Sequence, residues 1–414
     1  MSTPQSRAHA TSCPVVHGSP TDSDDPRMPL YTPDFASDPH HAYREMRRQY
    51  GSLVPVELSP GVPATLVIGY STAVRILNDP EHFPADPRAW QRNIPADCPV
   101  LPIMEWRPTA SRNSGADFER YRQAISASIN KVDLFALHAT VEQIAVPLIN
   151  TFSQTGTADL IGQYAFPLTF QLVNAILGCP PEIGQRVATG MAALFEAVDA
   201  EDGNKMISEA ILELVTLKRT EPGNDITSLL LQHPAELDEQ EMVHQVASHY
   251  GGGIELQQNL IINTLQLILT DDRFGGDVLG GNLSTRDALD EVLFNDPPLA
   301  NLLTTYPRQP ILIEGVWLPA HQPILISMAA CNNDPEIRAG DHTGNRSHLA
   351  WGIGQHTCPA QSMAYLIAQD AIDQLLDALP EMRLASPGDA PTWRPGPFHR
   401  SLAALPVTFP PVRS

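Results

Sequence analysis

Residues 351–361 of the 414-residue chain read WGIGQHTCPAQ, two closely spaced glycines followed by a histidine, a cysteine and a proline, and an apolar periodic run begins directly after them. No other stretch ties backbone geometry to chemistry so closely. Gly352 and Gly354 permit a tight turn and a close approach to a flat partner, because no Cβ stands in the way. From Pro359, the positions Met363, Leu366, Ile367, Ala371, Leu375 and Leu379 recur at spacings of about three to four, which predicts an amphipathic helix with proline at its first position. Cys358 is then expected at the N-cap. There the helix dipole and unpaired amides lower a thiol pKa and favour a thiolate that binds iron. His356 is placed to reach an anionic group on the same partner.

The string aromatic, Gly-x-Gly-x-His-x-Cys resembles the haem-binding loop of the cytochrome P450 family, and the order of features from about residue 29 to 410 is similar to that of a soluble bacterial member. The resemblance implies a mainly α cytochrome P450 fold, a large helical domain with a small β-rich portion. It implies haem b with Cys358 as the iron ligand, and electrons drawn from NAD(P)H through ferredoxin and ferredoxin reductase. The division expected is a disordered tail over 1–28 and a single haem-thiolate domain over 29–414.

Composition narrows the setting. The five cysteines, Cys13, Cys98, Cys179, Cys331 and Cys358, are odd in number and lack a Cys-x-x-Cys pair, so neither a disulfide framework nor a zinc site is indicated. A reducing cytoplasm fits them. No apolar run approaches the ~18 residues of a membrane span, so a soluble monomer is expected. A net charge of −21 argues against nucleic acid or an anionic membrane as partner. An acidic ferredoxin docks on a local patch, and Arg338 and Arg346, upstream of the cysteine loop, are candidates to furnish one.

Along the chain, a helix runs from a cap at Asp38 to a stop at Gly51, and two β-branched runs, 53–58 and 64–70, predict a hairpin. Residues 80–114 are proline-rich and aperiodic; loops that long in a compact domain are usually functional. In the resembling family this stretch overlies the haem, which makes Trp90, Met104 and Trp106 candidate substrate contacts. Helical patterning resumes at Ala116 and ends near 272 in one segment of about 35 residues, interrupted by Gly251, Gly252 and Gly253. Three glycines inside a helix cost about 1 kcal/mol each relative to alanine, a sacrifice expected where a flat body lies against the backbone. The resemblance makes this segment the distal haem wall, with Gly252 and Gly253 against the cofactor.

Several family positions are altered. Where an acid and an alcohol usually relay protons, the chain has Glu255 and Leu256, followed by Gln257. Leucine makes no hydrogen bond, so Glu255 and Gln257 are the candidate catalytic groups and Leu256 a substrate contact. In the Glu-x-x-Arg motif Glu291 is kept and Phe294 replaces arginine, so either another cation pairs with Glu291 or it is solvated or protonated. Arg122 matches a propionate-gripping arginine, whereas Phe118 stands for its histidine partner. Arg308 is a further candidate anchor. Pro359 removes one N–H that would point at the sulfur, which predicts a more electron-rich thiolate. The activity implied is oxygenation of a bulky small molecule of secondary metabolism by a haem-thiolate monooxygenase. The altered relay keeps open oxidative coupling or cyclisation without oxygen insertion, and the combined losses keep open a catalytically degenerate haem-binding regulator.

Overall fold

The structure, a computed structural model, describes residues 27–195, 200–274, 283–337 and 345–412. The expected disordered tail lies outside these residues except at its end. Met28–Pro29 forms a short strand parallel to Val56 and Glu57, so Met28, expected in the tail, belongs to the sheet. The hairpin is present as Leu53–Glu57 and Pro63–Val67, antiparallel with Leu53 opposite Val67. Tyr70, expected in its second strand, instead opens the helix Tyr70–Leu77 after Gly69. Ile324–Ile326 adds parallel to Pro63–Val67 and Leu303–Thr305 adds antiparallel at the far edge, which completes a five-stranded sheet.

A three-stranded sheet of Thr157–Asp159, Pro406–Thr408 and Arg383–Leu384 and a hairpin of Ile311–Ile313 and Val316–Leu318 are smaller, and helices make up most of the rest of the scaffold. The principal apolar core gathers Val141 and Phe152 from Leu134–Phe152, Leu168 and Leu172 from Phe166–Leu177, Leu260 and Leu265 from Glu255–Thr270, Leu289 and Leu293 from Thr285–Asn295, and Ala371 and Leu375 from Gln361–Ala378. Each of the larger side chains contributes roughly 1.5–3 kcal/mol on leaving water. The hydroxyl of Tyr164, fully buried among them, donates to the Ala371 carbonyl at 2.5 Å, so the burial leaves no stranded donor. This packing fixes the helix that follows the cysteine against the second half of the glycine-bearing segment, and so fixes the two walls between which the site lies.

The long glycine-bearing segment is not one helix. It is broken into Glu239–Gly253 and Glu255–Thr270, with Ile254 between them at φ −99° and ψ −72°. The first half is well started: Asp238 and Glu241 form a reciprocal capping box. Its end coincides with the three glycines, where backbone stiffness is least. No single described helix is long and apolar enough to cross a membrane.

Candidate functional site

The cysteine loop is a set of nested turns. The Gly352 amide donates to Leu349 O at 2.8 Å, Thr357 to Gly354 O at 3.2 Å and Cys358 to Trp351 O at 2.7 Å. Gly354 sits at φ +69°, and a Cβ there would fall 2.8 Å from the Leu77 carbonyl oxygen, so only glycine fits. Gly352, at φ +68°, needs glycine for its conformation rather than for space. The expected cap at Cys358 is corrected: the helix starts at Gln361 with Ala360 as N-cap. Pro359 and Ala360 form a turn that separates Cys358 from the helix. The expected electrostatics shift accordingly. Burial pushes the Cys358 thiol above its ordinary pKa, while the Ala360 amide and the Arg122 guanidinium pull the other way. An N–H therefore still addresses the sulfur, one residue later than the position that Pro359 blanks.

Arg122 and His356 converge on this loop. Arg122 Nη2 donates to Thr357 O at 2.6 Å. Burial, with help from Arg122 and Arg112, pushes the His356 imidazole down to about 4. Phe118 lies against His356, ring centroids 4.6 Å apart, so it contacts the other anchor rather than acting as one. Arg308 is not brought here: it is exposed at the surface, where it helps hold the Asp86 carboxyl below its usual range. Arg112 is the guanidinium found near His356 besides Arg122. That half-buried side chain donates to Ile103 O at 2.6 Å and is close enough to His356 to bias its protonation. Sequence alone offered no signal for Arg112 beyond its position at the end of an aperiodic loop.

Behind the loop, the question left by Phe294 is settled by geometry. Glu291 Oε1 accepts from Arg273 Nη2 at 2.7 Å, and the same guanidinium is paired with Asp271. Phe294 packs its ring edgewise on His348, with centroids 6.2 Å apart. Asn332, fully buried, donates to the carbonyls of Leu293 at 3.2 Å and Phe294 at 3.0 Å and accepts from Leu349 N–H at 2.7 Å. One side chain thus joins the end of the Thr285–Asn295 helix to the start of the cysteine loop. Arg346 is turned partly inward, its Nε 3.0 Å from Asp290, which also accepts from Tyr365. Arg338 lies outside the described residues.

On the opposite wall, a Cβ on Gly251 or Gly252 would meet nothing within 4 Å, whereas one on Gly253 would stand 2.9 Å from Val173 Cγ2. Gly252 thus faces open space, and Gly253 serves close packing on the Phe166–Leu177 helix, against expectation. Glu255 is paired with Arg394 Nη1 at 3.1 Å, and Arg394 also reaches Ser401 Oγ at 3.3 Å. Gln257 is turned away from the open space: its Nε2 donates to Ala364 O at 2.9 Å, stitching the broken helix to the post-cysteine helix. Leu256, half-buried, adds no polar atom.

Residues 80–114 are more ordered than their composition suggests, with short helices at Arg88–Gln91 and Leu101–Met104 and a turn at Ala110–Arg112. Trp90 and Met104, 6% and 1% exposed, pack in the core beside the sheet, where they hold the loop and present no open face to a substrate. Trp106 is anchored at both ends. Its backbone N–H donates to Gln91 and its indole to Asn113, each at or below 3.0 Å.

The donor set suits a planar cofactor carrying two carboxylates and one metal: a thiol, two guanidiniums and an imidazole on one side, a Cβ-free helix face on the other. No family model matches the chain, yet the cytochrome P450 monooxygenase PikC of Streptomyces venezuelae is 27% identical over 91% of this chain and 92% of its own. The vitamin D(3) 25-hydroxylase of Pseudonocardia autotrophica is 27% identical over 92% and 96%. The solved structure of CYP154C4 from Streptomyces sp. W2061 superposes with a TM-score of 0.82 at 24% identity, covering 92% of this chain and 98% of that one. Relatives along nine-tenths of the length and a shared fold make the chain similar to bacterial cytochrome P450 monooxygenases, which are oxidoreductases.

Proposed function

We propose that the protein is a haem-thiolate oxygenase of bulky small molecules, with Cys358 as the iron ligand and Arg122, Arg112 and His356 as the groups that hold the two propionates. Haem supplies the one-electron and dioxygen chemistry when bound. The chain's own part is to bind and orient the porphyrin, exclude water and present the Glu255 carboxyl on the distal helix. The observation that carries the reading is the convergence of Arg122 and His356 on the Cys358 turn, opposite the open face of Gly252. Arginine forks match carboxylates in two contacts at once, and a neutral His356 donates one more hydrogen bond. Electrons come singly from a ferredoxin, supplied by NAD(P)H through its reductase. Its docking face is the groove beside the cysteine loop, flanked by Arg286 and Arg346 and floored by Trp351 and Tyr365. Secondary metabolism is the setting favoured by the relatives.

A second reading, oxidative coupling or ring closure without oxygen insertion, is favoured by the distal wall. Leu256 has no hydroxyl, Gln257 is committed to Ala364 O and Glu255 to Arg394. Reactions that only remove hydrogen or electrons make the least demand on such a wall. Product mass separates the two: a gain of one oxygen for the first, a loss of two hydrogens for the second. The assignment itself is tested by the ferrous carbonyl spectrum of the haem-loaded protein. The thiolate-type band is expected, and Cys358→His is expected to convert it to the nitrogen-ligated type; the same spectrum from both proteins would refute Cys358 as ligand.

A further inference from the structure

The groove beside the cysteine loop is a cleft of about 360 Å³ between the Thr285–Asn295 and Gln361–Ala378 helices and the stretch 346–351. Trp351, Tyr365 and Leu366 give it apolar surface, Ser362 and Gln369 uncharged polar surface. Its two arginines do not make it basic. Arg346 spends its charge on Asp290, 3.0 Å from its Nε, while Arg286 stacks on the Tyr365 ring, 5.5 Å from the centroid. Ser284, with Arg286 and Arg346, holds the Asp287 carboxyl below its ordinary range, so a second aspartate stands within electrostatic reach of both cations. On the other wall His138 Nδ1 lies 2.7 Å from Asp370, and Asp373, one turn further on, accepts from the Thr285 hydroxyl at 2.6 Å. Even with His138 protonated, three cations face four aspartates here. Residues 338–344, outside the described residues, set one arginine against one aspartate and so leave that balance as it is.

At physiological ionic strength an approaching protein feels charges within roughly 8 Å, so it meets this local sum and not either arginine alone. Behind the groove stands a chain of net charge −21. An acidic docking surface is repelled at both ranges, against the expectation of an acidic ferredoxin drawn to an arginine patch. We propose that the groove receives an electron-transfer protein whose contact surface is cationic around an apolar centre. The centre covers Trp351 and Leu366, and ammonium or guanidinium groups on its rim meet Asp370 and Asp373. The inference rests on reading the groove as the docking face and specifies what docks there. Complementary rims act mainly on the rate of encounter, which then falls as salt rises; like-charged rims give the opposite slope.

The test is stopped-flow reduction of the haem-loaded protein under carbon monoxide, read as growth of the ferrous carbonyl band. The probe is one plant-type [2Fe–2S] ferredoxin in two forms, its native acidic surface and a version with the contact carboxylates replaced by lysine. The lysine form is expected to react about tenfold faster at about 20 mM salt, and the two rates to converge by about 500 mM. Asp370→Asn is expected to cut that advantage about twofold. Glu209→Gln makes the same charge change on the exposed side of the Ala200–Thr220 helix, which packs chiefly on Pro181–Phe195, and is expected to leave the advantage within roughly a fifth of its value. If Asp370→Asn fails to load haem, Asp373→Asn is read in its place. A native form that reacts faster at low salt overturns the proposal. So does an advantage that Asp370→Asn and Glu209→Gln reduce equally, because the carrier would then be reading net charge and not the groove. Ser362→Trp, which fills the cleft from an exposed position, keeps the failures apart. It is expected to slow both forms about tenfold. Unchanged rates sink the docking face itself; slowed rates with no preference between the two forms sink only the cationic partner.

Discussion

Around the cysteine the chain lacks the arginine of Glu-x-x-Arg and the histidine that pairs with Arg122, yet each loss has a substitute. Glu291 finds Arg273 from the segment after the broken helix, Asn332 ties Phe294 to Leu349, and Arg112 brings a second guanidinium toward His356. Across the site, Leu256 has no substitute at all: the polar residues flanking it are committed to Arg394 and to Ala364 O. The contrast teaches that a buttress can be rebuilt from any residue that delivers a donor or acceptor to the right carbonyl. On the distal wall the described contacts of Glu255 and Gln257 lead to Arg394 and to Ala364 O, and neither supplies a hydroxyl at Leu256.

The largest effect that would break this comparison is expected at Asn332. Asn332→Ala strands two carbonyls and one N–H in a site without solvent, and is expected to cost about 4 kcal/mol, read as a lowered urea midpoint, with loss of haem from the folded fraction. Asn332→Asp keeps the acceptor for Leu349 but turns a carboxyl oxygen toward two carbonyls in a dry site, so it is expected to cost at least as much. A variant as stable as the parent would mean that the cysteine wall has no rebuilt buttress.

Neither Asn332 nor Arg273 was legible beforehand, and the reason is physical. The local code announced what depends on backbone shape: the Gly-x-Gly turn, the Asp38 cap, the hairpin and the helix after Cys358 were all readable from spacing. Where sequence misled, a neighbour in space decided. Gly253 yields to Val173 on another helix, Trp90 and Met104 sink into a core they share with the sheet, and the helix start moves to Gln361 behind a turn at Pro359 and Ala360. Replacements such as Arg273 for the missing arginine join positions eighteen residues apart through no motif, and only tertiary geometry reveals them.

Acidity sharpens the same wall. His348, buried against Phe294, has its pKa pushed down to about 4, chiefly by burial, with Arg346 acting in the same direction and Asp290 opposing. Above pH 6.5 the imidazole is neutral in both folded and unfolded chains. Between about 6.5 and 4 the unfolded chain takes up a proton that the folded chain refuses, so stability falls as pH falls, by up to roughly 3 kcal/mol, and below that window the loss stops growing. Urea midpoints measured from pH 7 to pH 4 should drop more steeply for the parent than for His348→Gln. Parallel curves would show that His348 is not held neutral by the packing of this wall.

The smallest change in stability, and the sharpest on the other side of the comparison, is expected from restoring the missing alcohol. Leu256→Thr swaps a half-buried apolar side chain for one of similar girth, so the urea midpoint should move by no more than about 1 kcal/mol. If the distal wall lacks only a hydroxyl, the fraction of NAD(P)H electrons recovered in product should rise severalfold with the library metabolite that gives the largest spectral shift. Glu255 would then have a hydroxyl close by on the same helix besides the Arg394 guanidinium that donates to it. A coupling ratio unchanged by Leu256→Thr but altered by Arg394→Leu would reverse the lesson, because the relay would then have been rebuilt through the Glu255–Arg394–Ser401 contacts, and the two walls would differ in where their substitutes sit rather than in whether they have them.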